Sequence, residues 1–173
     1  MTYAITRRGM LDFYHLSKYD YSLDEIVETL SGLVRFNGHR SITVLAHSYA
    51  MSLEAERLGL GELTQFRCLV HDFHEAYIGD ITHPIAAYFD AIFPGFAAAV
   101  NILKARIDEQ LASKLAWPEF TADSLHDTKR LDEKALWLEA VHRQTFGSVG
   151  GYVSHPDFIN RYRKLLAALT QSV

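Results

Sequence analysis

The chain has 173 residues, of which 49% are hydrophobic and 22% charged, with a net charge of −4 and a single cysteine. That is the length of one domain with a sizeable core, and the charge balance announces no polyanion-binding surface. Cys68 alone excludes an internal disulfide and fits a reduced, cytoplasmic setting, while no segment has the length of a membrane span or the apolar run of a signal peptide.

Residues 1–21 are mixed and aromatic and read as a short arm on the domain. Ser22 with Glu25 three positions on is a capping-box pattern, and Ile26, Leu30, Leu33 and Val34 carry a helix through about Val34. Arg35-Phe36-Asn37-Gly38-His39-Arg40 breaks it as a loop. Ser41 or Thr43 opens a largely buried helix to about Leu58, with His47 inside it, closed by Gly59 and Gly61. Residues 62–78 form the central helix. A short aromatic helix or irregular segment spans 84–93, and Pro94-Gly95 punctuates it. Phe96–Leu115 is a long helix ended by Trp117-Pro118. Asp123 or Ser124 begins another, with Leu125, Leu131, Leu136 and Val141 on its apolar side. Gly147–Gly151 is a glycine-rich loop without phosphate-loop spacing. Pro156 starts the last helix, with Phe158, Ile159, Tyr162, Leu165 and Leu169 inward. With no repeat, no lasting β-alternation and no linker, residues 1–173 predict one all-α bundle of roughly six to seven helices.

Chemistry concentrates in CLVHDFHEAYIGDITHP, Cys68–Pro84. On a helix, His71 and Glu75 are four apart and Asp72 and Glu75 three apart, so they share a face. A helix with one buried side and a side carrying imidazole and carboxylates needs a partner for those groups. A divalent metal is the natural one, because nitrogen and oxygen donors suit Zn, Mn, Fe, Co or Ni. A lone His-Asp pair is weak evidence, since His126-Asp127 repeats it. The set is stronger: His47 on one helix, His71 and Asp72 on the next, Asp132 on a later one.

This H…HD…D set resembles the HD-domain phosphohydrolases, and within them the small 5′-deoxynucleotidases of the YfbR and YfdR type. The resemblance covers about Leu23 to Glu139 and is carried by LSGLVRFNGHR, VLAHS, LVHDFHEAYIGDITHPI and KRLDEKALWLE. It implies that His47, His71, Asp72 and Asp132 hold one divalent ion per chain, whether Co, Mn, Zn, Fe, Ni or Mg. It further implies that Asp72 and Glu75 are the catalytic carboxylates, Glu75 as general acid/base. Arg35 would bind the substrate phosphate, Asp80 the sugar, and His39 the phosphate or only its own loop. The implied reaction converts deoxyribonucleoside 5′-monophosphates to deoxynucleosides and phosphate. Triphosphate removal, or hydrolysis of another phosphoester, fits the same residues, and so, from a different class, does a non-catalytic nucleotide-binding scaffold. The implied partners are a small nucleotide and a second copy in a dimer, with no nucleic-acid polymer and no membrane.

Plainer roles compete for several of these residues. Glu75 could pair with Arg67, Asp80 could cap the loop after Gly79, and Arg35 could close a helix C-terminus. His74 is read as supporting a ligand or lying at the surface. His15, His142 and His155 have no evident partners. Phe89, Phe93, Phe96, Trp117 and Trp137 are read as core or subunit contacts.

Overall fold

A computed structural model describes residues 2–141 and 151–171. Among them are seven helices of nine residues or more: α1 (Leu23–Gly32), α2 (Val44–Arg57), α3 (Glu62–Val70), α5 (His83–Ile92), α6 (Phe96–Lys114), α7 (Ala122–Val141) and α8 (His155–Gln171). A single turn, α4 (Glu75–Ile78), lies between α3 and α5. The all-α expectation holds.

The amino-terminal arm is the exception. It forms an antiparallel hairpin, β1 (Tyr3–Thr6) and β2 (Gly9–Asp12), with Tyr3 opposite Asp12 and Thr6 opposite Gly9. Its strands are too short for alternation to stand out, and Leu11 is the residue sent fully inward. The capping box at Ser22 does not form: Ser22 makes no side-chain cap. Glu25 turns inward instead and accepts hydrogen bonds from Tyr19 Oη at 2.8 Å and from the Arg8 backbone at 3.2 Å.

The core joins α1, α2, α3, α6 and α8 through Ile26, Leu30, Leu45, Phe66, Leu69, Phe73, Ile107, Leu111 and Phe158. A smaller cluster, including Met51, Ala55, Cys68, Leu131 and Ala135, seals α7 against α2 and α3. The buried face of α7 is therefore Ser124, Thr128, Leu131, Ala135 and Glu139. Leu125, Leu136 and Val141, expected inward, are exposed, whereas Leu131 is buried as expected. Phe89, Phe93 and Trp137 are also exposed rather than core. Trp117 does pack on the core, its indole donating to Tyr162 Oη at 2.9 Å. His15 and His155 do have partners, Asp12 Oδ2 at 2.7 Å and Ser31 Oγ at 2.9 Å. Among the described residues no helix is long and apolar enough to cross a membrane.

Two details fix the start of α2. Thr43 Oγ1 caps it by accepting from Ala46 N at 3.1 Å. Gly151, just before α8, accepts from Thr43 N at 3.2 Å, and a Cβ placed on Gly151 would stand 1.9 Å from Ser41 O. The rest of the expected loop at 147–151, and His142, lie outside the described residues.

Candidate metal centre

The central helix is interrupted. After Val70 the backbone tightens, and Phe73 N donates to Val70 O, Glu75 N to Asp72 O, Ala76 N to Phe73 O and Tyr77 N to His74 O. These are three-residue spacings, not the four of an α-helix. The side chain of His71 takes part: its Nδ1 lies 2.8 Å from Cys68 O, a carbonyl that an uninterrupted helix would offer to the amide of Asp72. Gly79, at φ 76°, ends the segment, and its N–H closes on Glu75 O.

This turn meets α2 and α7. His47 is wholly buried on α2, one turn past the Thr43 cap. Asp132 and Glu139 are seven apart on α7, hence on one face. The Nε2 of His47 stands 3.2 Å from Asp132 Oδ1 and 3.9 Å from Asp72 Oδ2. That of His71 stands 3.1 Å from Asp72 Oδ2 and 4.0 Å from Asp132 Oδ1. All four residues singled out in the sequence thus converge from three elements.

The wiring of the two imidazoles is alike. His47 Nδ1 bonds Glu139 Oε1 at 3.0 Å, as His71 Nδ1 bonds Cys68 O. In each ring Nδ1 has an acceptor, so in the neutral ring Nδ1 carries the proton and Nε2 is the nitrogen left for a metal. Both Nε2 atoms are buried without a hydrogen-bond partner. Buried polar atoms are rarely left so. Two free imidazole nitrogens facing two carboxylates, each ring steered by an acceptor behind it, make a donor set suited to a divalent transition metal. Atoms each ~2.1 Å from one ion stand roughly 3–4 Å apart; the four imidazole–carboxylate distances lie in that range, and ligand atoms of His47, His71 and Asp132 lie within 4.8 Å of one another.

Charges follow the same geometry. Burial opposes ionisation of Asp72, but His71, His47 and His74 outweigh it and hold its carboxyl well below the usual range. Burial likewise opposes ionisation of Asp132, and His47 and His71 again bring it down. Glu75 goes the other way. Burial, then the charges of Asp72 and Asp80, push it up to about 9, and its Oε2 has no partner. A buried carboxyl beside an ionised one is suited to taking up and giving back a proton. Asp72, His74 and Glu75 also offer ligand atoms within 4.8 Å of one another. His74 is buried and bonds Asp108 on α6 at 3.0 Å.

Arg35 is brought to the cluster. It is buried, with Nη1 3.7 Å from Asp72 Oδ2 and Nε 3.1 Å from Glu139 Oε2. It does not close α1, which ends at Gly32. Its backbone N–H donates to Ile42 O at 2.9 Å, and the loop beyond it turns sharply, with Phe36 and Asn37 at φ 56° and 53°. Left-handed backbone at a bulky Phe is strained. Arg67 does not pair with Glu75; its guanidinium sits over the Phe120 ring, 5.3 Å from the centroid. Asp80 follows Gly79 and is half-buried. His39 is exposed at the end of the Phe36–Gly38 turn.

Glu139 was not singled out in the sequence. The signal was present: a lone acid in LWLEAV, two turns after Asp132 on the same face. The His74–Asp108 pair had no such signal, because it joins positions 34 apart. No protein-family model matches this chain, and no curated protein sequence matches it.

Proposed function

We propose that the chain is a metal-dependent phosphohydrolase of the HD type, acting on deoxyribonucleoside 5′-monophosphates. The observation that carries the chemistry is the pair of buried, partnerless Nε2 atoms of His47 and His71 facing Asp72 and Asp132. The substrate class rests on the resemblance of RFNGH, HDFHE and IGD to the small deoxynucleotidases.

A divalent ion held by His47, His71, Asp72 and Asp132 would supply Lewis acidity toward a phosphoryl oxygen and a lowered pKa for water. The chain's own groups do the rest. Glu75, three residues after Asp72 and buried, would take the proton of the attacking water at its free Oε2 once a bound cation's charge has drawn off the proton it holds in the metal-free protein, and would return one to the departing O5′ of the nucleoside. The P–O5′ bond breaks as the water oxygen joins phosphorus, and no covalent intermediate on the protein is required. Arg35 offsets charge on the non-bridging oxygens, held in place by Glu139. Asp80, on the loop leaving α4, accepts from a sugar hydroxyl. His39 adds a phosphate contact only if the exposed loop folds inward.

The test is a phosphate-release screen over nucleoside mono- and triphosphates with a panel of divalent metals. Phosphate from deoxynucleoside monophosphates, lost on chelation, is the expected result. Tripolyphosphate released from triphosphates would reassign the substrate. A metal-loaded protein that releases nothing from any nucleotide would leave only binding.

A further inference from the structure

A third imidazole beside the candidate centre is wired like the two assigned to it. His74 is buried. Its Nδ1 lies 3.0 Å from Asp108 Oδ1 on α6, and its Nε2 is buried with no hydrogen-bond partner. His47 has the same arrangement through Glu139, and His71 through the Cys68 carbonyl. An acceptor behind Nδ1 fixes the ring and its tautomer and leaves the other nitrogen for a metal. Nothing in the reaction proposed above uses His74.

The tightened turn gives this ring its company. In a regular α-helix Asp72 and His74 would point about 160° apart around the axis. Three residues per turn bring them to about 120° and eclipse Asp72 with Glu75. One ring nitrogen of His74 and one carboxylate oxygen each of Asp72 and Glu75 lie within 4.8 Å of one another. Glu75 Oε2 is buried and partnerless as well. Asp72 meets His47, His71 and Arg35 through Oδ2, and a carboxylate has a second oxygen to give to a neighbouring ion. The group is distinct from that of His47, His71 and Asp132, with Asp72 in reach of both.

We propose that Asp72, His74 and Glu75 hold a second divalent cation, with Asp72 shared between the two ions. A nitrogen with carboxylate oxygens suits an ion such as Mn²⁺ or Zn²⁺. The site rests on the metal-centre reading above, since Asp72 belongs to both. It is the weaker of the two, because it offers one imidazole rather than two and because Arg35 and Lys104 direct positive charge at Glu75. Filled, it ties up the carboxylate that the reaction needs for proton transfer, so excess metal should inhibit.

Chelator-stripped full chain titrated with manganese chloride should take up two Mn²⁺ per chain, the second more weakly, as read by loss of the free-ion electron paramagnetic resonance signal. His74→Ala should take up one. Ions that share a carboxylate couple magnetically, so the bound signal of the wild type should pass from that of an isolated ion to that of a coupled pair as the second binds. Uptake of one ion by the wild type overturns the second site and leaves the first standing; uptake of none overturns both. Two ions in a folded His74→Ala, or a second wild-type ion without coupling, also overturns the second site, as metal held elsewhere on the chain. Should His74→Ala not fold, the coupling in the wild type decides alone. Phosphate release should peak near one equivalent and fall with the second; release that climbs through the second overturns the inhibitory role.

Discussion

Glu139 and His47 face each other across the α7–α2 contact, Oε1 to Nδ1 at 3.0 Å, with neither side chain exposed to solvent. The other oxygen of Glu139 lies 3.1 Å from Arg35 Nε. One buried carboxylate therefore steers a candidate metal ligand and the candidate phosphate clamp together. Glu139→Gln should weaken metal affinity by roughly ten- to a hundredfold, the usual effect of losing such a support. Glu139→Ala, which also strands the Arg35 guanidinium, should lower stability by about 3–5 kcal/mol. Metal titration of the first and denaturant unfolding of the second check both.

Asp72→Ala should abolish metal binding and hydrolysis while the helices survive, because its carboxylate meets both imidazoles but none of the apolar core. Elemental analysis finding full metal content would remove Asp72 from the site.

Glu75 separates proton transfer from binding. Glu75→Gln should keep the metal and lose turnover by about 10²–10⁴-fold, the range of general acid–base catalysis. In metal-free protein it has a second signature. Its carboxyl is raised from its ordinary 4.5 to about 9, so the stabilisation it gives is complete below pH 4.5 and is lost as pH climbs toward 9. Wild-type stability should fall across that window. Glu75→Gln should flatten the fall and be the more stable protein at the alkaline end, by on the order of 1–3 kcal/mol. Unfolding at several pH values reads this directly. Asp72 has the opposite sign: its lowered pKa gives stability that disappears as pH drops below the ordinary 3.8.

Arg35→Ala should lower kcat/KM for every phosphorylated substrate alike, by about ten- to a hundredfold, as befits a charge-assisted contact of about 1.5–3 kcal/mol. Asp80→Ala should instead change the ratio between deoxyribose and ribose substrates. Kinetics on a deoxynucleotide and its ribo counterpart in both variants will show whether the roles are assigned the right way round.

At the start of α1 the roles of two residues are exchanged relative to the sequence pattern. Ser22→Ala should cost little, since no side-chain cap is lost. Glu25→Ala should cost about 1–3 kcal/mol, because it leaves the buried Tyr19 hydroxyl without one of its acceptors. Thermal melts of the pair test it.

Some of this could be read from residues alone and some could not, for identifiable reasons. The long helices announce themselves by period, and His47, His71, Asp72 and Asp132 stand out as polar groups in apolar helical settings. The break at 71–74 was hidden because every residue there is helix-compatible; what bends the chain is a side-chain nitrogen taking a main-chain carbonyl, a bond invisible in periodicity. The inward face of α7 misled because, Leu131 apart, it is lined by Ser124, Thr128, Ala135 and Glu139 rather than by leucines. Hydrophobicity ranks residues by transfer free energy, whereas close helix contact selects for small size. The hairpin at residues 3–12 was too short for a pattern to repeat.

The glycine at 151 lies far from the candidate metal ligands in sequence, yet its close approach to Ser41 O sets a tolerance on one of them. Any side chain there must displace Ser41, which leads into the cap of α2, and that displacement propagates down one helical turn to His47. A scan of all substitutions at this position should show metal affinity failing before the fold does, as though a ligand had been altered. The entry to the last helix thus acts as a shim for the first candidate ligand.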